Sequence, residues 1–257
     1  MDLELWKPWY RRIARTLNLN EEKDQEATSV LSSLLRGKAL ELSAARDKIQ
    51  GRTVLVFGAG PSLSVDLGKI IEVDLHRRCV KVTADGTTSA LLEKGLTPDI
   101  VVTDLDGEAA DLVAANRSGA LMVVHAHGDN IDALRSLVPK FSSSALGTTQ
   151  VKPVPNVYNF GGFTDGDRCA FLAEEFKARR ILLVGMDLGL QVGRYSKPSF
   201  TFNQQASPLK RKKLEIAKQL LEWLQTWADA EILNLTTKGQ DVKGVRRLTP
   251  MEAVDLS

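Results

Sequence analysis

The chain has 257 residues, 43% of them hydrophobic, and 34 Lys and Arg against 32 Asp and Glu leave a formal net charge of +2. That length supports one large α/β domain with an added helical piece, and a balance this near neutral excludes a general polyanion-binding surface and gives no reason to expect a nucleic-acid partner. Two cysteines, Cys79 and Cys169, sit in apolar segments and exclude a disulfide framework or a cysteine zinc site, while the absence of a membrane-length apolar run and of a signal-peptide pattern at Met1-Asp2-Leu3-Glu4-Leu5-Trp6 predicts a soluble, cytoplasmic protein with no membrane partner.

Residues 2–17 carry Leu3, Trp6, Trp9, Tyr10, Ile13 and Leu17 at helical spacing. Asn20 stands where it can cap a second, long helix from Glu21 to about Ile49, bent at Gly37. Residues 1–50 therefore read as an N-terminal helical extension, of a function the pattern does not disclose. From residue 52 strands and helices alternate, which predicts a Rossmann-like, mostly parallel sheet flanked by helices, with right-handed crossovers. Strands are expected at Thr53–Phe57, Val80–Ala84, Ile100–Thr103, Leu121–His125, Val157–Phe160 and Ile181–Val184, with Glu231–Leu235 as an edge strand. Helices are expected near Val65–Ile71, Thr88–Lys94, Ala109–Asn116, Ile131–Val138, Asp165–Lys177 and Leu209–Ala228. The α/β unit is assigned to residues 51–235 and a C-terminal tail to 236–257. Gln191 to Ser207 reads as a long polar loop, of the kind that often forms a lid or is disordered. Trp223 and Trp227, four apart, read as a helix core stripe.

The strand ends carry the chemistry. Asp99-Ile100-Val101-Val102-Thr103-Asp104-Leu105-Asp106 is a short apolar run that ends in two carboxylates. In open α/β sheets ligands bind at the carboxyl ends of strands. Upstream, Lys81-Val82-Thr83-Ala84-Asp85-Gly86-Thr87-Thr88 repeats the arrangement. Asp85, Asp104 and Asp106 at neighbouring strand ends suit Mg²⁺, a hard cation bound through oxygen and shared with substrate phosphates. The alternative is a capping Asp104 and a plain Asp106-Gly107 turn.

Gly58-Ala59-Gly60-Pro61-Ser62-Leu63 follows the first strand, where Gly58, Gly60 and Ser62 would face phosphates at a helix start. A third glycine is missing and Pro61 intrudes, which disfavours a nicotinamide dinucleotide; a tight strand-to-helix turn capped by Ser62 is the other reading. His125-Ala126-His127-Gly128-Asp129-Asn130 offers hydrogen bonds to a phosphate or a heterocycle more readily than a zinc site, since a third metal ligand is lacking. Asp129 as a helix cap is the alternative. In Gly161-Gly162-Phe163-Thr164-Asp165-Gly166-Asp167, two glycines permit close approach and Asp165 and Asp167 can serve metal, ribose or base, or the first helical turn. Asp187, in Gly185-Met186-Asp187, adds another acid. Lys197, Lys210 and Arg211 are candidates to neutralise phosphates, with a solvated helix face as the alternative.

Together these segments resemble the archaeal 6-hydroxymethyl-7,8-dihydropterin pyrophosphokinases, a family related to the catalytic domain of thiamine pyrophosphokinase. The resemblance covers roughly residues 50–235. It implies ATP as co-substrate, Mg²⁺, transfer of a diphosphate to a pterin hydroxymethyl group with release of AMP, and a place in the making of a folate- or methanopterin-type cofactor. Asp85, Asp104 and Asp106 would be the catalytic, metal-holding set, and Gly86, Thr87, Thr88, His125, His127, Gly161, Gly162 and Thr164 would join the binding surface with Pro61 and the other strand-end residues. Thiamine pyrophosphokinase carries a β-rich C-terminal domain where residues 208–228 here read as helix. The Gly-Pro-Ser-Leu turn is also similar to one in motility-associated glycosyltransferase-like proteins, so a nucleotide-sugar transferase stays open, as does a non-catalytic nucleotide-binding module. Small molecules are the expected partners, and a homo-oligomer is left open.

Overall fold

The computed structural model describes residues 1–142 and 145–256. Apolar, largely β-branched runs lie buried on both faces of one sheet, which is why they lack polar alternation. The first strands are β1 (Thr53–Phe57), β2 (Val80–Ala84), β3 (Ile100–Thr103), β4 (Leu121–Ala126), β5 (Ala145–Thr149), β6 (Val157–Tyr158) and β7 (Arg180–Val184). A two-stranded hairpin, β8 (Gln191–Val192) and β9 (Gln204–Gln205), precedes β10 (Glu231–Asn234) and β11 (Arg246–Arg247). The main sheet has 9 strands in the order β11-β10-β7-β1-β2-β3-β4-β5-β6, and each neighbouring pair is parallel.

The helices are α1 (Leu3–Leu17), α2 (Glu21–Leu35), α3 (Leu42–Ile49), α4 (Leu63–Glu72), α5 (Thr87–Leu92), α6 (Ala109–Arg117), α7 (Ile131–Leu137), α8 (Asp165–Glu175), α9 (Pro208–Leu224) and α10 (Pro250–Val254). The chain leaves β1 toward β2 and returns on its other side as β7. The loops after β1 and β7 thus meet at a topological switch point, where a ligand crevice forms.

Three expectations are corrected. The long helix from Glu21 is two helices, because residues 36–41 leave helical geometry: Gly37 turns at φ 75° and the Leu40 amide donates to the Ala145 carbonyl at 3.0 Å. β5, Ala-Leu-Gly-Thr-Thr, was not expected as a strand. Its composition is weakly β-forming, and what holds it is burial of all five residues between α2 and its neighbours. Gly147 is required there, since a Cβ would lie 2.7 Å from the Asn156 carbonyl and 2.9 Å from Leu35. Finally, β10 is not the edge strand. β11 pairs outside it, and Ala253 of α10 is fully buried, so residues after 235 complete the sheet instead of trailing from it.

The N-terminal helices are part of the core. Trp6, Tyr10 and Ile13 of α1 are buried with Phe171, Leu220 and Leu221, and Trp9 meets Trp223 at a ring separation of 5.4 Å. Burying one such large side chain contributes roughly 1.5–3 kcal/mol. α2 packs on β5 and α7, which brings its first turn to the end of β4.

Candidate active site

Asp85, Asp104 and Asp106 come together at the carboxyl ends of β2 and β3, each offering a carboxylate oxygen within 4.8 Å of the others. Parallel pairing of β2 with β3 puts the two strand ends side by side. The backbone then departs from ordinary geometry at two non-glycine residues, Asp85 at φ 26° and Leu105 at φ 70°. Such conformations cost of order 1–3 kcal/mol and persist where the surroundings enforce them. Here the Asp85 amide donates to Val102 O at 2.7 Å, and the Leu105 amide to Thr103 Oγ1 at 2.8 Å, with Leu105 itself buried. The strained turn swings Asp104 and Asp106 toward Asp85. Gly107 allows the close approach: a Cβ there would meet Asp85 Oδ2 at 2.8 Å.

The three acids are electrostatically distinct. Asp85 is 4% exposed; Oδ1 accepts from the Thr103 hydroxyl and Oδ2 has no partner. Burial, then the nearby Asp165 and Asp104, push its carboxyl well above the usual range. Asp104 goes the other way. Burial would raise it, but the His127 hydrogen bond and charge, with Arg168 and Lys197, bring it down to about 2. His127 Nε2 lies 3.4 Å from Asp104 Oδ2, and its Nδ1 accepts from the Asp129 amide at 3.3 Å. Asp106 is exposed and paired with Lys197. Lys210 lies near Asp165 and Asp106, and burial lowers its pKa.

A fourth acid borders the group. Asp165, at the first position of α8, has its buried Oδ1 3.7 Å from Arg168 Nη1, an ion-pair distance, and that oxygen has no hydrogen-bond partner. Burial, then Asp104, raise its pKa well above the carboxylate range. Near it is a very small cavity lined by His125, Thr148 and Arg168 and by the apolar Val102, Val123, Phe160 and Leu172. The Thr148 hydroxyl donates to Val124 O, so it accepts from His125 Nδ1 at 3.1 Å. That assigns the His125 proton to Nδ1 and leaves Nε2 a bare, buried acceptor. Burial, with Arg168 and His127 nearby, keeps this imidazole neutral. Arg168 Nε is likewise unpartnered. Asp85 Oδ2, Asp165 Oδ1, His125 Nε2 and Arg168 Nε thus make one region of unsatisfied buried groups, each of which is costly unless a ligand or water meets it.

Most of the other expected residues meet partners within the fold. The Ser62 hydroxyl lies 2.8 Å from both Asp66 and Asp187, and the Ser62 amide also donates to Asp187. Gly60 packs so closely on the β7 loop that a Cβ would lie 2.0 Å from Asp187 Oδ2, and the Pro61 carbonyl accepts from Asn203. Gly58 abuts Met186. These residues knit the switch point together. Thr87 donates to Phe57 O at 3.2 Å, and Thr88 meets Thr83 at 3.1 Å, both buried. Gly86 makes room for the Tyr195 carbonyl. Asp167 caps α8, accepting from the amides of Phe163 and Thr164 and from the Thr164 hydroxyl. Gly162 lies against Arg168. Asp129 is exposed. Arg211 binds the Ala206 carbonyl and lines a groove beside α1, away from the acids.

Sequence reasoning missed the residues that brace the site. Asn130 donates to the carbonyls of Asp104 and His125 at 2.8 Å each, tying the ends of β3 and β4. Asp24, buried in α2, accepts from Tyr10 OH at 2.8 Å, Gln150 Nε2 at 2.7 Å and the Gly128 amide at 2.8 Å. Gln150 Oε1 in turn accepts from Arg168 at 3.1 Å. An acid, Asp24, on an otherwise buried helical stripe was the available signal. The segment 191–205 is an ordered hairpin docked over the acids: Arg194 and Tyr195 engage Glu93 of the segment after α5, and Lys197 engages Asp106.

The profile of the MptE-like family, described as 6-hydroxymethylpterin diphosphokinase MptE-like, matches residues 29–193. The 6-hydroxymethyl-7,8-dihydropterin pyrophosphokinase of Pyrococcus furiosus is 47% identical over 237 residues, 92% of this chain and 100% of that one. The chain belongs to this family. Proteins of the same name from Methanothermobacter thermautotrophicus and Methanocaldococcus jannaschii are 43% and 38% identical, covering 90% and 91% of this chain and 99% and 100% of theirs. All three relatives come from archaea. Among solved structures, the MAf glycosyltransferase of Magnetospirillum magneticum AMB-1 aligns over 90% of this chain and 41% of its own length, with a TM-score of 0.50 and 19% identity. That likeness shows the α/β fold alone. The family is one of diphosphokinases, so the chain is assigned as an enzyme. No helix among the described residues is long and apolar enough to cross a membrane.

Proposed function

We propose that the protein transfers the terminal diphosphate of ATP to the hydroxymethyl group of 6-hydroxymethyl-7,8-dihydropterin, giving the pterin diphosphate and AMP. The observation that carries this reading is the meeting of Asp85, Asp104 and Asp106 under the Lys197 hairpin, in a chain of which 90–92% aligns with nearly the full length of relatives named for that activity. The acid set fits Mg²⁺. Hard oxygen donors converge, one of them a buried carboxylate oxygen with no hydrogen-bond partner, and the burial and the neighbouring negative charges that raise Asp85 are what a cation would offset. Asp85, Asp104 and Asp106 would hold it, and when bound it neutralises phosphate charge.

The chain's own residues do the rest. Lys197 can exchange its Asp106 carboxylate for triphosphate oxygens, and Lys210, near Asp165 and Asp106, can add its charge. Phosphoryl chemistry of this kind needs positioning and charge neutralisation more than covalent help. The substrate hydroxyl oxygen bonds to the β-phosphorus, the bond from that phosphorus to the α–β bridging oxygen breaks, and AMP leaves with the electron pair. The hydroxyl proton passes to an acceptor among the acids or to water. His125, Arg168 and Asp165 carry buried polar atoms without a hydrogen-bond partner beside the acids, and donors and acceptors of this kind would suit the N–H and C=O groups of a pteridine edge.

Product analysis tests the reaction. AMP should accumulate with the pterin diphosphate, and label from the γ-phosphate of ATP should end in the product's terminal phosphate. ADP with a monophosphorylated pterin would mean simple kinase chemistry and a wrong reading. The hairpin gives a second expectation. Because Lys197 is held by Asp106 at the outer face of the site, nucleotide binding should re-pair it and close the hairpin further. Hydrogen exchange across residues 191–213 should slow with a non-hydrolysable ATP analogue, Mg²⁺ and pterin together. Equal exchange with and without them would leave the hairpin a static wall.

A further inference from the structure

A second cleft lies at the opposite end of the same strands. It occupies about 410 Å³ at the amino ends of β1, β2 and β3, and Lys48, Arg52, Arg77, Arg78, Lys81 and Arg179 line it. Five-residue strands rise ~3.3 Å per residue, so roughly 16 Å separates this end from the carboxylates. A single acid, Asp99, faces the six cations, and it is taken by Lys81 at 2.7 Å. Arg77 pairs with Asp74 at 2.9 Å, and Arg179 donates to the Leu256 carbonyl at 3.3 Å. Among the described residues Lys48, Arg52 and Arg78 form no ion pair. Holding like charges around a concavity is unfavourable unless counter-charge enters it, and a concave wall focuses the field inward.

Helix dipoles account for part of this charge only. Lys48 lies in the last turn of α3, where a cation is favourable. Arg52 and Arg179 lie three and four residues past the last residues of α3 and α8, outside the reach of that effect. A second observation is independent of charge. Thr53, the first residue of β1, lines the cleft, is 3% exposed, and its hydroxyl has no hydrogen-bond partner. A buried hydroxyl left unmatched costs about 1–3 kcal/mol. A ligand oxygen at the floor of the cleft would satisfy it. Cys79, at the same floor, lines the cleft together with Lys81, Arg78 and Arg179, and burial pushes its thiol up to about 11 against the pull of these three cations.

We propose that this cleft binds a di- or triphosphate group, free or as the tail of a nucleotide, at a site separate from the carboxylate end. None of the described lining residues is aromatic and the apolar ones are confined to Cys79 and Val80. The site therefore grips phosphate oxygens and leaves any base outside. The inference does not rest on the proposed transfer reaction.

Calorimetric titration of the full chain with pyrophosphate, tripolyphosphate and ATP tests it. EDTA is present throughout, so that the acid end carries no metal and repels the anion. One saturable, salt-sensitive site is expected for pyrophosphate. Arg52→Ala with Arg78→Ala removes two charge-assisted contacts and should weaken it by on the order of tenfold or more. Both side chains are exposed, so the fold and the turnover should stay unchanged. Thr53→Val should weaken binding without altering net charge. ATP binding like tripolyphosphate would identify the nucleotide's tail as the ligand, and ATP binding far more weakly than pyrophosphate would identify the free anion. Absence of saturable binding would overturn the proposal. So would binding that survives the double variant and is lost instead in Lys197→Ala with Lys210→Ala.

Discussion

Asp104→Asn should slow turnover by ~10²–10³, the loss expected when an electrostatic interaction worth ~3–4 kcal/mol is removed. An amide is close in shape to the carboxylate but is a poor ligand for a hard cation. Asp104 is also the acid that this site keeps ionised, through His127, Arg168 and Lys197, so the variant removes a full negative charge. The fold should survive. The carboxylate's partners are His127 and the Asp106 amide, both in the strand-end loops, and Asn130 holds the Asp104 carbonyl, which the substitution leaves in place. Asp106→Asn should act in the same direction and also free Lys197. Steady-state rates across a Mg²⁺ titration, with unchanged far-ultraviolet circular dichroism, are the measurement. Near wild-type turnover in both variants at limiting Mg²⁺ would remove these acids from the metal site.

The acid cluster was legible because strand-end chemistry is local. A β-branched run predicts a strand, the strand predicts where its carboxyl end opens, and Asp85, Asp104 and Asp106 follow directly in the chain. Parallel order then had only to place the two ends together. The glycine and hydroxyl motifs were less transparent. Gly60, Ser62 and Thr87 look the same in sequence whether they approach a phosphate or another loop. In the structure Gly60 and Ser62 pack on Asp187, and Thr87 bonds to Phe57 O. Asp167 was similarly ambiguous, and both its oxygens serve the start of α8. β5 escaped notice because its conformation comes from burial between α2 and β4, information no five-residue window contains. The hairpin's order has the same origin, since Arg194 and Tyr195 are anchored by Glu93, about a hundred positions away. Long-range contacts of this sort override local polarity.

The N-terminal helices illustrate the same limit, and they supply the second large effect. Asp24→Ala should destabilise the protein by ~3–5 kcal/mol, the usual cost of removing one partner from a buried charged hydrogen-bond set. The substitution strands three donors at once: Tyr10 OH, Gln150 Nε2 and the Gly128 amide. At the few degrees per kcal/mol usual for chains of this size, Tm should fall by on the order of 10 °C. The consequence should not stop at stability. Gln150 also accepts from Arg168, which pairs with Asp165 at the edge of the site. With Asp24 gone, Gln150 loses the contact that orients its amide, and Arg168 loses a nearby negative charge. Asp24 is thus a positioning residue, linking α1 and α2 to the acids through one buried polar chain. A merely structural role would lower Tm alone. Positioning predicts in addition that the variant, assayed well below its Tm, shows a several-fold higher KM for the pterin with a smaller change in kcat. Gln150→Leu should reproduce that KM change, because it breaks the same chain one link closer to Arg168. Asp24→Asn, which keeps one acceptor oxygen, should recover part of both losses. A wild-type KM in fully folded Asp24→Ala and Gln150→Leu would confine the N-terminal helices to holding the sheet.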